Sequence, residues 1–252
     1  MSYPLVRYVL LAAVRDKLIV SLLILLVLGC SLAIFVGSSA VIEKDRFALV
    51  FAAGGLRLTS VLGLVLFVVF FVRRSFDGKD VEFLLSRPIS RVAFLYSYAL
   101  AFSLLALVLS LAIGLCLYVI GPHLFGYGHI LWIFSIIAEN VIMVNTALFF
   151  SLYMSSATSA AMSTFAFYVL ARMMGQLLGI VDSNLVIDTG PMAMAVQLVS
   201  VLTPRLDLLG QTSWLIYGVG EGVSLGFVLV QGFFFCALVT LAGLLDLLKR
   251  QF

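Results

Sequence analysis

Apolar runs of roughly 18 or more residues recur along the 252-residue chain, and a helix needs about 20 such residues to cross the hydrocarbon of a bilayer. The runs are continuous instead of alternating. That pattern favours a bundle of helices over a barrel, the two architectures that satisfy every backbone N–H and C=O inside a membrane. Composition agrees, with 63% hydrophobic and 11% charged residues, where soluble domains carry about 25% charged. The chain reads as an integral membrane protein with one transmembrane domain and no internal repeat.

One charged stretch divides the runs. Arg73 to Arg91, RRSFDGKDVEFLLSRPISR, holds five of the 15 Lys and Arg residues, with Asp77, Asp80 and Glu82 interleaved. It must lie in water, and because basic residues near span ends stay on the cytoplasmic side, it orients the spans before and after it. Met1 to Asp16 reads as an interfacial helix, with Pro4 suited to a first turn and Arg7 and Arg15 close to one face of an apolar body; the frayed start of the first span is the alternative. The spans then fall at about 17–37, 56–72, 92–120, 130–154, 161–181 and 222–245. Between the first two lies an outer loop, Ser38 to Gly55, and Arg57 sits near the outer end of the second span, where it can snorkel. Gly121, Pro122, Gly126 and Gly128 mark an outer turn. The short link Ser155 to Ala160 makes the fourth and fifth spans antiparallel neighbours.

Residues 182–221 break the pattern. Their apolar run, Met192 to Leu202, is too short to span and suits a helix that dips into the outer leaflet or packs on the outer face. The expectation is an all-α membrane protein of six transmembrane helices, with an N-terminal interfacial helix, a cytoplasmic helix between spans two and three, and short outer helices between spans five and six. Both termini are expected in the cytoplasm. Ten basic residues then lie inside, against Lys44, Arg46, Arg57 and Arg205 outside, with Arg172 within the membrane.

Ionisable residues at membrane depth are costly and point to function by default. Counted from the link at Ser155, Glu139 and Arg172 lie at matching depths, on the order of 20 Å in. They are expected to face each other, or to share a polar cluster with Asn140, Asn145 and Gln176, either as an ion pair pinning a hairpin or as the lining of a substrate path. Cys30, Cys116 and Cys236 fall singly in apolar runs and read as small packing residues. His123 and His129 share one outer turn with no third ligand nearby. No metal site, nucleophile and base pair, membrane aspartate pair or phosphate-binding loop is evident, so neither an enzyme nor a resident cofactor is expected. The positive residues cluster at span ends, which leaves no nucleic-acid reading. The mixed charges at the N-terminus, with no small-residue cleavage site after them, do not fit a removable signal.

The charged stretch carries a more specific signal. EFLLSRPISR, Glu82 to Arg91, resembles the cytoplasmic motif of type-2 ABC-transporter permeases. The six spans, the N-terminal helix and the polar junction LFFSLYMSSATSAAMSTFAFYV extend the likeness over nearly the whole length. The layout is similar to permeases of the nitrous-oxide reductase maturation type. The resemblance implies that the segment is a coupling helix docking on a separate ATPase, with Gly78, Asp80, Glu82, Phe83, Leu84, Ser86 and Arg87 at the contact. It further implies two ATPase copies that bind ATP and Mg, a second permease copy or a related permease, and a surround of membrane lipids. The residues themselves describe a mixed-charge amphipathic segment closed by Pro88, and an ordinary charged loop remains the plainer reading of them. A channel or secondary transporter, or a scaffold anchoring a partner, are the other classes open to such a chain. Export of a lipid-like or hydrophobic substrate is the direction the resemblance favours, and the short outer loops depart from family members that carry large external domains.

Overall fold

The computed structural model describes residues 3–15, 17–40, 43–78, 90–182, 190–220 and 223–249. The described residues form helices and connecting turns without a strand: α1 (Tyr3–Arg15), α2 (Leu18–Ser38), α3 (Lys44–Asp77), α4 (Arg91–Ile120), α5 (Tyr127–Tyr153), α6 (Ala157–Asp182), α7 (Gly190–Leu202), α8 (Trp214–Tyr217) and α9 (Leu225–Lys249). Six of them, α2 to α6 and α9, are long and apolar enough to cross a bilayer. The chain is a multi-pass membrane protein.

The second span differs from the sequence reading. The outer loop does not run to Gly55, because α3 begins at Lys44 and continues for 34 residues, roughly 51 Å. Phe47 to Ala53 is apolar without proline, and the Gly54-Gly55 pair stays helical, so nothing stops the helix within the stretch expected to be loop. The fifth span likewise starts four residues early, at Ala157, leaving only Met154 to Ser156 as the link.

The long helices do not share one plane of ends. The 21 residues of α2 measure roughly 31 Å, close to the ~30 Å hydrocarbon thickness. They run antiparallel to α3, with Gly63 against Leu22 near one end and Gly37 against Ala48 near the other. Asp77 therefore lies about 14 residues, or ~21 Å, beyond Gly63. On α4, Cys30 Sγ of α2 lies 4.0 Å from the Cys116 carbonyl, which brings the start of α2 level with about residue 104 and leaves the first dozen residues of α4 projecting on that same side. The end of α3 and the start of α4 thus lie well clear of the level at which α2 enters, on the side where α1 and α2 also meet.

The core is built on α3 and α5, the most buried spans, while α2, α6 and α9 leave most of their surface facing outward. Leu49, Ala53, Val61, Leu64, Val65, Phe67 and Val68 of α3 are shielded, as are Leu131, Trp132, Ile142 and Met143 of α5. On α1, Leu5, Val6, Val9 and Ala13 face inward; α1 ends at Arg15, Lys17 lies in a turn and Leu18 starts α2, so α1 and the first span are separate helices.

After α6 the chain turns back as α7, which packs along α6. Residues 203–217 then enter the bundle between α3, α5 and α6. Leu206 and Leu209 are fully buried, and Trp214 and Leu215 nearly so. The segment that is buried in the bundle is therefore the irregular turn after the short helix, whose own Met194, Leu198, Val201 and Leu202 are exposed. Non-helical backbone at such depth is tolerated only where protein surrounds it, and this turn is so enclosed.

Small residues let α2 and α3 approach. A Cβ added at Gly37 would sit 2.5 Å from Ala48 Cβ and 3.0 Å from the Lys44 carbonyl, neither able to move without the backbone. Although alanine favours helix over glycine by about 1 kcal/mol, Gly37→Ala is expected to destabilise the protein by about 1–3 kcal/mol through overpacking. A lowered midpoint in thermal unfolding of the detergent-solubilised chain is the readout, and an unchanged or raised midpoint would contradict the close packing.

Candidate functional site

Two constellations stand out, one buried in the bundle and one at the projecting ends. The buried one starts from Glu139. It lies 12 residues into α5 and Arg57 13 residues into α3, roughly 18–20 Å along helices that run parallel, and the two side chains meet. Arg57 Nε is 3.0 Å from Glu139 Oε2 and donates to Oε1 at 3.2 Å. Tyr168 of α6 donates its hydroxyl to the same Oε1 at 2.9 Å. Glu139 is fully buried and Arg57 only 8% exposed. One carboxylate therefore joins α3, α5 and α6.

The expected pairing of Glu139 with Arg172 is not what forms. Arg172 donates to the carbonyls of Leu206 and Leu209, and Arg57 donates to the Gly210 carbonyl at 2.6 Å. The Leu206 carbonyl already accepts the Leu209 N–H at 3.1 Å in a single 3-10 turn, whereas the Leu209 and Gly210 carbonyls gain their donors from the two guanidiniums, an unpaired backbone acceptor away from water being costly. Tyr168, one helical turn before Arg172, takes the place at Glu139. Gly210 adopts φ +58° beneath Arg57 and Ile136, a left-handed conformation that glycine reaches without strain. Asp207, in the same turn, pairs with Arg205 at 2.9 Å.

The other polar residues expected to join the cluster lie elsewhere. Asn140 donates to Ser110 at 2.9 Å and pairs with Ser60 at 3.3 Å, linking α3, α4 and α5 one residue on from Glu139. Asn145 donates to Ser103 at 3.0 Å and to the Val141 carbonyl at 2.7 Å, one to two turns closer to the projecting ends. Gln176 is exposed on α6 and takes no part. Arg57 is the residue that sequence reasoning misplaced. Its true depth followed from the apolar, proline-free run before it, once that run is read as helix.

The second constellation lies where α3 and α4 project. Of the expected contact residues, Gly78 is described and closes α3, its N–H donating to the Arg74 carbonyl. Asp80, Glu82, Phe83, Leu84, Ser86 and Arg87 lie outside the described residues. The two stems are tied down. Arg73 donates to the carbonyls of Met154, at 3.1 Å, and Ser155, capping the end of α5 where cations are favoured. Arg91 donates to the Leu247 carbonyl near the end of α9 at 2.9 Å. Ser90 caps α4, its hydroxyl oxygen accepting from the Ala93 N–H at 3.1 Å. Between the stems, Phe67 and Phe71 of α3 meet Tyr98 and Phe102 of α4 at centroid distances of 5.8–6.3 Å, mostly edge to face, the geometry that aromatic pairs prefer.

The histidines separate. His123 lies 3.3 Å from Asp45 across the turn, whereas His129 is buried at the start of α5, where its Nδ1 accepts from the Gly126 N–H. No group of metal-ligating side chains occurs among the described residues, and the three cysteines there are unbridged. No protein-family model matches the chain, and no curated protein sequence matches it.

The buried cluster is closed on all sides by protein and works as a staple. Removing one partner of a buried ion pair costs roughly 3–5 kcal/mol, because the remaining charge is stranded. Arg57→Leu and Glu139→Leu are each expected to lower stability on that scale, and the double variant to lose less than the sum by about 0.5–3 kcal/mol. The same cycle between Glu139→Leu and Arg172→Leu is expected to be closer to additive. Thermal unfolding of the three single and two double variants checks this, and additivity at Arg57 with coupling at Arg172 would reverse the assignment.

Proposed function

We propose that the chain is the membrane-spanning permease subunit of an ATP-driven transporter of the ABC class, an exporter of a lipid-like or otherwise hydrophobic substrate. The observation that carries this reading is the setting of the EFLLSRPISR segment. It joins two helices that project roughly 15–20 Å past the level where α2 enters, and its stems are anchored by Arg73 and Arg91 to the ends of α5 and α9. A grip on such a segment acts on several spans together, which a loop that merely connects two spans does not require. The fold class is compatible with many functions, so this remains an inference from the site and the motif.

On this reading Asp80, Glu82, Phe83, Leu84, Ser86 and Arg87 meet a separate ATPase, present in two copies, on which ATP and Mg are bound. The loop side is cytoplasmic, as its excess of Lys and Arg favours, in the inner membrane of a bacterium. A second permease copy, or a related permease, completes the transport path. A hydrophobic substrate fits spans that are overwhelmingly apolar and offer few polar groups to solvate a soluble one.

Purification of the full chain with its natural partners tests the reading. An ATPase is expected to co-purify, and Glu82→Lys to reduce its retention more than tenfold while leaving the thermal midpoint of the permease unchanged. Absence of any bound ATPase, or labelling of a cysteine placed at position 82 by an impermeant reagent from outside the cell, would reject it.

A further inference from the structure

Beside the loop stems, α1 does not pack against α4 along its whole width. One face of α1 and the flank of α4 leave a groove of about 510 Å³, within the ~300–1,000 Å³ range of ligand sites. Leu10, Leu11 and Val14 of α1 and Leu100 and Leu104 of α4 line it, together with one cation, Arg7. Leu11 and Val14 are more than half exposed, as a soluble surface would not favour.

The height of the groove is given by α2. Residue 104 of α4 is level with the first turn of α2, whose length matches the hydrocarbon thickness, so the groove lies at the boundary between hydrocarbon and head groups on the loop side. Its lining is mixed, apolar side chains from both helices with a single guanidinium among them. Arg7 makes no ion pair with any described carboxylate, and Arg15 and Lys17 flank Asp16 at the end of the same helix, leaving positive charge in excess. A soluble anion would leave the leucines bare, and an uncharged apolar molecule would leave Arg7 facing hydrocarbon.

We propose that this groove binds one phospholipid with an acidic head group, taken from the leaflet on the loop side, its phosphate on Arg7 and an acyl chain between α1 and α4 at Leu10, Val14 and Leu104. The lipid completes the packing of α1 on the bundle. Because α4 is also one of the two stems of the charged segment, occupancy of the groove bears on how firmly that stem is held. The site does not depend on the transport reading and exists whether or not an ATPase binds.

Native mass spectrometry of the purified, delipidated full-length chain provides the test. The probes are dioleoylphosphatidylglycerol, dioleoylphosphatidylcholine and inorganic phosphate, each titrated separately. The wild type is expected to prefer the glycerol lipid. Arg7→Gln is expected to weaken that lipid about fivefold, the scale of one basic residue at an anionic surface, while Arg7→Lys keeps the preference and Arg46→Gln, on the opposite side, changes nothing. Leu104→Trp, which fills the groove, is expected to weaken both lipids. Thermal midpoints report folding, and if Leu104→Trp fails to fold, the Arg7 pair alone decides. Unchanged lipid binding in Arg7→Gln overturns the proposal, as does saturation of the site by inorganic phosphate. A lipid-independent dimer dispersed by Leu104→Trp would assign the groove to a second copy of the chain and equally overturn it.

Discussion

A carboxylate carried into hydrocarbon has to find its counter-charge within the protein, and the Arg57–Glu139 pair meets that constraint in a way that organises the centre of the bundle. Arg57 uses Nε on Glu139 and Nη1 on the Gly210 carbonyl, while Glu139 also accepts from Tyr168. Three spans and a non-helical turn are thereby held at one height. The dependence is mutual. Without the guanidiniums of Arg57 and Arg172, the carbonyls of Leu209 and Gly210 would face an environment unable to hydrate them. Without the turn, Arg172 and the Nη1 of Arg57 would lose the acceptors they use. Buried pairs of this kind add little net stability against a well-packed apolar alternative; what they provide here is a single register, because no other height satisfies all the partners together.

The second organising feature is the mismatch in helix length. α2 fits the bilayer, whereas α3 and α4 overshoot it on one side. The overshoot would be two loose rods if only the segment between residues 78 and 90 joined them. The interleaved rings of Phe67, Phe71, Tyr98 and Phe102 and the arginine contacts to the ends of α5 and α9 make it a stiff base. Apolar aromatic packing there is consistent with a region that leaves the hydrocarbon yet stays dry inside.

The six spans and their all-helical class were legible because continuous apolar runs near 20 residues have few other readings. The interruption at 182–221 was legible for the same reason in reverse, a run too short to cross. What misled was punctuation. Glu43, Lys44, Asp45 and Arg46 suggested a loop reaching Gly55, yet such charges do not break a helix whose following residues are apolar and whose neighbour α2 packs on it through small residues. That one boundary moved Arg57 from a rim to the centre, and with it the partner of Glu139 from Arg172 to Arg57. The carbonyl acceptors of the buried turn were invisible to reasoning from side chains, since a backbone acceptor is present at every residue and only the fold decides which are left unsatisfied. Asn140 and Asn145 found small hydroxyl partners on α3 and α4, pairings that depth counting along two adjacent spans had no means to anticipate.

α3 connects the two constellations. Arg57 and Arg73 lie 16 residues apart on one helix, roughly 24 Å, and the stretch between them, LTSVLGLVLFVVFFV, contains no proline and a single glycine, so it has none of the usual causes of a sharp kink apart from that glycine's modest softness. Such a rod tilts before it bends. A force at the projecting end therefore reaches Arg57, and the most yielding point available to absorb it, the Gly54-Gly55 pair, lies beyond Arg57 instead of before it. The ion pair is then placed where displacement of the loop would be felt as a change in register between α3 and α5, and the Gly210 turn, held by the same guanidinium, would have to follow. On the proposed reading, the staple that fixes the resting bundle is also the joint through which the charged segment acts on the far side of the membrane.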